Sequence, residues 1–158
     1  MNVNELLKKL EEILLPDKMK AYPPASIKEI KKAEQQLEIN FPQELVDVLM
    51  VSNGLDYLVD IPKADEPIEL DAYIPVNCIV SSTIDHIKYS EGIEVKHNFQ
   101  FLCFAGSGCE EYFGYKIFDE KCTDTTIYVY YPIEDRYEEV AKNFEEWAIG
   151  WFSGRIKI

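Results

Sequence analysis

"FAGSGCEEYFGY", residues 104–115, sets two glycines, a serine, a cysteine and two glutamates between apolar runs. Two readings compete for it. As an active-site loop it would offer Cys109 or Ser107 as a nucleophile and Glu110 or Glu111 as a base. As a hairpin, Gly106-Ser107-Gly108 would supply the positive-φ positions of a tight connection, between a strand ending near Phe104 and one starting near Glu110. The residues around the thiol favour the hairpin. A thiolate needs positive surroundings or a histidine base, and two adjacent glutamates disfavour a second negative charge. Strand-like residues follow where a hydrolase elbow needs a helix. No Gly-Lys-Ser/Thr follows to form a phosphate loop, and the acids would repel a phosphate. Gly114, inside the second strand, marks a bulge or a close backbone approach.

A hairpin here implies an antiparallel sheet, and the flanking sequence has the same texture. "LDYLVDIP" (55–62), "PIELDAYIPVNCIV" (67–80), "FQFLCFAG" (99–106), "EYFGYKIF" (111–118) and "TIYVYYPI" (126–133) are short runs rich in β-branched and aromatic residues. "SSTIDHIKYSEG" (81–92) between the second and third reads as a short helix or turn. Upstream the period changes to that of a helix. "VNELLKKLEEILL" (3–15) has an apolar stripe at Val3, Leu6, Leu7, Leu10, Ile13 and Leu14, with Pro16 closing it. In 22–41, Ser26 with Glu29 three residues on is a capping-box pattern, and Ile27, Ile30, Ala33 and Leu37 form a buried stripe. In "FPQELVDVLMVSNGL" (41–55), Pro42 suits a first helical turn and Asn53-Gly54 lets the chain leave. Leu45, Val48, Leu49 and Ser52 share one face. Residues 134–154 return to helical spacing at Tyr137, Val140, Phe144 and Trp147, with Gly154 as terminator. Helices, then consecutive strands, then a closing helix predict an α+β fold: an antiparallel sheet with N-terminal helices and a C-terminal helix packed around it. At 158 residues the chain is expected to form one domain, residues 1–158.

Charge narrows the function classes. Residues 53–139 carry 18 acids and 6 bases, so −12 of the net −13 lies in the middle of the chain. Such a field repels nucleic acid and anionic membrane and speeds encounter with a basic partner; the plainer reading is that it keeps the protein soluble. A composition 47% hydrophobic and 13% aromatic argues against disorder. No apolar run reaches the roughly 20 residues of a membrane span, and the Glu- and Lys-rich start is not a secretory signal, so the cytoplasm is the expected compartment. Cys78, Cys103, Cys109 and Cys122 show no CxxC or zinc-type spacing and are expected to be ordinary thiols. His86 and His97 are expected on the surface or in loops, and no metal or cofactor is expected. The adjacent carboxylates, Asp119-Glu120 among them, show no asymmetry of the kind that acid–base catalysis needs. Aromatics interleave with acids rather than with Lys or Arg, unlike a nucleic-acid stacking platform and similar to a protein-binding surface.

The order of elements carries a family resemblance. "PPASIKEIKKAEQQLEINFPQELVDVLMVSNGL" (23–55) resembles the opening of the SUKH superfamily, with Glu34, Phe41, Pro42, Leu49, Asn53 and Gly54 at the matching places. "FLCFAGSGCEEYFGYKI" (101–117) is similar to its apolar strand, Gly-rich turn and second strand. Residues 127–152 resemble its late strand and terminal helix. The resemblance covers residues 23–152. This chain departs in the turn, where the family often has Asp-Gly-Gly-Gly and an aspartate, and at Phe41, where leucine is commoner. The resemblance implies a binding role without catalysis. Bacterial members are typically immunity proteins that neutralise secreted polymorphic toxins, often nucleases or deaminases, and fungal relatives regulate cell-wall synthesis and signalling. The expected partner is a cognate protein toxin, a basic nuclease domain whose active surface is occluded; the alternative is a regulatory adaptor without a toxin partner. Expected contacts are Glu110, Glu111 and Tyr112 after the turn, Asp56 and Tyr57 after the third helix, and Glu134, Asp135 and Tyr137 before the last helix.

Overall fold

Local sequence sets each of the first three helices. α1 (Val3–Leu14) begins at Asn2, whose side-chain oxygen accepts from the Glu5 N–H, and buries Val3, Leu6 and Leu10. α2 (Ile27–Leu37) carries the reciprocal capping box: Ser26 Oγ accepts from Glu29 N at 3.2 Å, and Glu29 Oε2 accepts from Ser26 N at 2.7 Å. Two orphan amide donors are thereby satisfied by side chains. α3 (Gln43–Leu49) starts directly after Pro42, which is its cap residue rather than part of its first turn, and buries Leu45, Val46, Val48 and Leu49. The computed structural model describes residues 1–15, 18–60, 65–91, 97–118 and 124–158. Cys122 and the Asp119-Glu120 pair lie outside these residues.

The buried Glu34 side chain joins α2 to α3. Its Oε1 accepts from the Phe41 N–H at 2.8 Å and its Oε2 from Lys31 at 2.7 Å. Glu44 makes a longer link: its Oε1 accepts from the Tyr115 hydroxyl at 3.0 Å and from the Phe144 N–H at 2.9 Å.

The described strands build two antiparallel sheets rather than one. β1 (Met19–Ala21), β2 (Leu55–Val59) and β3 (Ile68–Tyr73) form a sheet in the order β1-β2-β3. β4 (Gln100–Gly106), β5 (Tyr112–Ile117), β6 (Ile127–Tyr131) and β7 (Arg136–Ala141) form the second, in chain order. The two meet where the Ile74 N–H donates to the Phe104 carbonyl at 2.9 Å. The architecture is α+β, with N-terminal helices and a C-terminal helix, α5 (Phe144–Phe152).

Two segments differ from the sequence expectation. Residues 76–80, read as the end of a strand, open a helix of 16 residues, α4 (Val76–Glu91). Its buried positions Val76, Ile79, Val80 and Thr83 have helical spacing, and its first amide is capped from afar, Val76 N–H donating to Asn53 Oδ1 at 2.8 Å. Residues 136–141, read as the start of the closing helix, are strand β7, and α5 begins only at Phe144.

The expected hairpin is present. β4 and β5 pair antiparallel, Gly106 opposite Tyr112 and Cys103 opposite Gly114, with a bulge between Cys103 and Ala105. Alternation along β4 sends side chains to two faces. Leu102 and Phe104 join the main core, where the Trp147 ring meets Phe104 edge-on at 4.7 Å. Phe101 and Cys103 face the other way and form a second cluster with Tyr130, flanked by Phe99, Tyr128 and Tyr137.

Candidate functional site

Strand register decides where the acidic turns go. Tyr112 of β5 pairs with Tyr130 of β6, so the β4–β5 turn (107–111) and the β6–β7 turn (132–135) emerge at the same end of the sheet. The first turn is closed internally. Ser107 N–H donates to the Glu111 carbonyl at 3.0 Å, Ser107 Oγ donates to Glu111 Oε2 at 2.7 Å, and Cys109 N–H donates to Ser107 Oγ at 3.1 Å. Gly108 takes φ +87°, a conformation that favours glycine. The Ser107 hydroxyl is engaged in shaping the turn, and Cys109 is exposed at its tip. In the second turn Asp135 stands at φ +47° and its Oδ2 meets His97 Nε2 at 3.0 Å.

α4, which begins five residues before the short helix or turn expected at 81–92, braces the second turn. The Tyr89 hydroxyl donates to the Pro132 carbonyl at 3.2 Å, and His86 Nε2 lies 2.8 Å from the Tyr137 hydroxyl. A concave pocket of about 400 Å³ opens between α4 and the two turns. Asp85, His86 and Tyr89 line it from the helix, Glu110 from the first turn, Tyr112 from the start of β5, and Tyr130 from β6. Burial pushes the His86 imidazole down to about 4, so it is neutral at physiological pH. Burial likewise pushes the Tyr130 and Tyr137 hydroxyls up, with neighbouring groups that include Asp135 adding to it, so both keep their protons. The Tyr130 hydroxyl stands near the Asp135 carboxylate, which adds to that upward push. It has no hydrogen-bond partner among the described residues, and neither does His86 Nδ1. At the pocket Tyr89 and Tyr112, and on the second turn Ile133, are large apolar side chains left exposed.

The expected contact residues divide by position. Glu110 and Tyr112 line the pocket, and Glu134 is exposed on the neighbouring turn. Glu111 is half-buried, with one carboxylate oxygen engaged by Ser107. Asp135 is paired with His97, and Tyr137 stacks on Tyr130 at 4.6 Å. Both residues belong to the second hairpin, not to a loop before the last helix. Asp56 and Tyr57 lie in β2 of the other sheet. Asp56 is buried, accepts from the Tyr22 hydroxyl and lies 3.8 Å from Lys20 Nζ, while the Tyr57 ring meets Phe152 edge-on at 5.2 Å. The chain enters β2 immediately after Gly54, leaving no loop there. His97 lies in the connection before β4, as expected, whereas His86 sits on α4, and both are part-buried among aromatic rings. Asp85, His86, Tyr89 and Tyr130 were not foreseen as site residues. The first three share a helix face at spacings of one, three and four, a signal that appears once 81–92 is read as a helix rather than a turn.

Among the described residues no group of three or more His, Cys, Asp or Glu side chains could hold a metal ion, and no helix is long and apolar enough to cross a membrane. No curated protein matches the chain. The profile of the SMI1 / KNR4 family (SUKH-1) matches residues 24–150.

Proposed function

The chain belongs to the SMI1 / KNR4 family (SUKH-1), and we propose that it serves as an immunity protein. In this reading it binds a cognate secreted toxin, a basic nuclease domain, and neutralises it by covering the surface that holds phosphates. Membership of a family whose immunity and regulatory members act through protein contacts is consistent with such a role. The observation that carries the reading is the placement of charge: −12 of the net −13 lies in residues 53–139, the segment that supplies α4 and both turns. A nuclease must cradle phosphates with Lys and Arg, and an acidic surface is complementary to that cradle. Tyr89, Tyr112 and Ile133 add exposed apolar area beside the charge, the mixture of anchors and polar rim that interfaces use.

The contacts proposed are Glu110, Tyr112 and Glu134, with Glu111, Asp135 and Tyr137 shaping the turns that present them; Asp56 and Tyr57 would help hold the three-stranded sheet. The test is to recover the partner with tagged protein from its own cells, identify it, and follow association across salt concentrations. Expected is one basic nuclease domain whose association weakens as salt rises. Glu110→Lys with Glu134→Lys should slow association about tenfold or more at low ionic strength. Unchanged association would move the interface elsewhere. Recovery of cell-wall or signalling proteins instead would make the chain a regulatory adaptor.

A further inference from the structure

The pocket between α4 and the two turns has a more specific chemistry than a generally acidic surface. Four planar rings line it, Tyr89, Tyr112, Tyr130 and the His86 imidazole, alongside Ser82, Cys103, Cys109 and Pro132. Its carboxylates, Asp85 and Glu110, approach from opposite sides, one from the helix and one from the β4–β5 turn. Tyr130 is only 2% exposed, yet its hydroxyl has no hydrogen-bond partner among the described residues. A buried polar atom left without a partner carries a cost, and one lining a cavity is a position for a ligand to complete. At about 400 Å³ the space lies within the roughly 300–1,000 Å³ of small-ligand pockets.

We propose that this pocket receives one guanidinium group, an arginine side chain presented by the protein partner. The planar cation stacks between tyrosine rings, its N–H fork reaches Asp85 and Glu110, and the Tyr130 oxygen accepts a further hydrogen bond at the base. Guanidinium suits such a slot better than ammonium, because it is flat, weakly hydrated and presents five donors in one plane. The neutral His86 ring adds an aromatic wall without a repelling charge. The same sheet already places its rings around a cation: Lys116 Nζ lies 4.2 Å from the Tyr128 ring centroid, 4.8 Å from Phe99 and 5.1 Å from Tyr137. Exposed Tyr89 and Tyr112 stand at the rim, where they would shield a central anchor from water. The inference rests on the reading of the partner as a basic protein, and it names the group by which that partner is anchored.

The test uses the full chain and small probes, so it does not depend on knowing the partner. Isotope-labelled protein is titrated with Nα-acetyl-arginine-N-methylamide, with its lysine counterpart and with ethylguanidinium, while the His86, Tyr89, Tyr112 and Tyr130 ring signals are followed by NMR. Expected is saturable binding in the roughly millimolar range for such small ligands. The two guanidinium probes should bind about tenfold more tightly than the lysine probe. Asp85→Asn with Glu110→Gln should weaken guanidinium binding about tenfold or more. Tyr130→Phe, which removes one oxygen and keeps the ring, should weaken it several-fold while the spectrum stays folded. Shifts that spread over the acidic surface without saturating would overturn the proposal, as would equal binding by the doubly neutralised variant or equal affinity for the lysine probe. A protein that binds a basic toxin but ignores guanidinium would keep the immunity reading and lose the pocket. A pocket that takes guanidinium in a protein whose partner is not a toxin would do the reverse.

Discussion

Replacing Gly114 with alanine puts a methyl group where β5 has no room for one. A Cβ at this position would lie 2.4 Å from the Leu102 carbonyl oxygen and 2.7 and 2.9 Å from two atoms of the Phe101 ring. Ordinary contacts begin at 3.4 Å, so the neighbours must withdraw by about 1 Å. Neither can do so cheaply. The Leu102 carbonyl belongs to β4, and moving it disturbs the pairing that forms the hairpin. Phe101 is fully buried, its ring centroid 5.2 Å from Tyr137 and 5.3 Å from His86. Overpacking of this kind costs about 1–3 kcal/mol and sometimes more, and a clash with backbone and a trapped ring together belongs at the top of that range, about 3 kcal/mol. For a chain of this size each kcal/mol moves the melting point by about 2–4 °C, so Gly114→Ala should melt about 6–12 °C below the wild type. Thermal melts followed by circular dichroism measure this, with Gly106→Ala as control. The Cβ of the control meets only the Gly108 nitrogen, at 4.0 Å, and it should cost less than about 1 kcal/mol. A Gly114→Ala protein melting within about 2 °C of the wild type would show that β4 and β5 do not approach in this register.

Substitutions at three further positions address the core, the α2–α3 joint and the buried imidazole. Leu49→Ala empties a fully buried position in α3 and should lower stability by about 2–5 kcal/mol in urea unfolding, while the folded fraction associates with its partner at an unchanged rate. Glu34→Ala strands the buried Phe41 N–H and should cost about 1–3 kcal/mol. Glu34→Gln, whose amide oxygen can still accept from that N–H, should recover most of the loss in the same assay. His86 is held below its ordinary 6.5, at about 4, so the unfolded chain binds the proton first. Its contribution is whole above about 6.5 and is lost as pH falls toward about 4. Urea midpoints at pH 7 and pH 5 should therefore differ less in His86→Gln than in the wild type, and equal differences would mean that the imidazole is solvated.

The helices that could be read from the sequence are those whose signals are local. The Ser26–Glu29 box, the stripes of α1 and α2 and the Leu45–Leu49 face of α3 all lie within a few residues of what they determine. The start of α4 was obscured because Val76, Ile79 and Val80 are β-branched, and the cap that starts it, Asn53, stands 23 residues upstream. Its helical spacing prevails over propensity because burial rewards one continuous face. β7 was obscured because Tyr137, Val140 and Phe144 keep helical spacing across a strand–helix junction. β1 spans three residues and pairs with β2 more than thirty residues later, which no short window detects. At the site, the turn at 107–111 was legible from its glycines, as was the acidic character of both turns. Their convergence was not, since it depends on the Tyr112–Tyr130 register and on α4 behind it. The same dependence explains Asp56, which follows the third helix at the start of a strand-like run in sequence and is buried against Tyr22 in the fold.

β7 closes its sheet on one side, and a terminal strand offers its outward N–H and C=O groups to any second strand that arrives. Here three of its residues, Arg136, Glu138 and Glu139, are exposed, and Arg136 is engaged by Glu138. A second molecule adding along this edge would bring the same glutamates against each other, and like charges set side by side across strands disfavour pairing. The strand that supports the acidic turn thus also resists self-templated assembly.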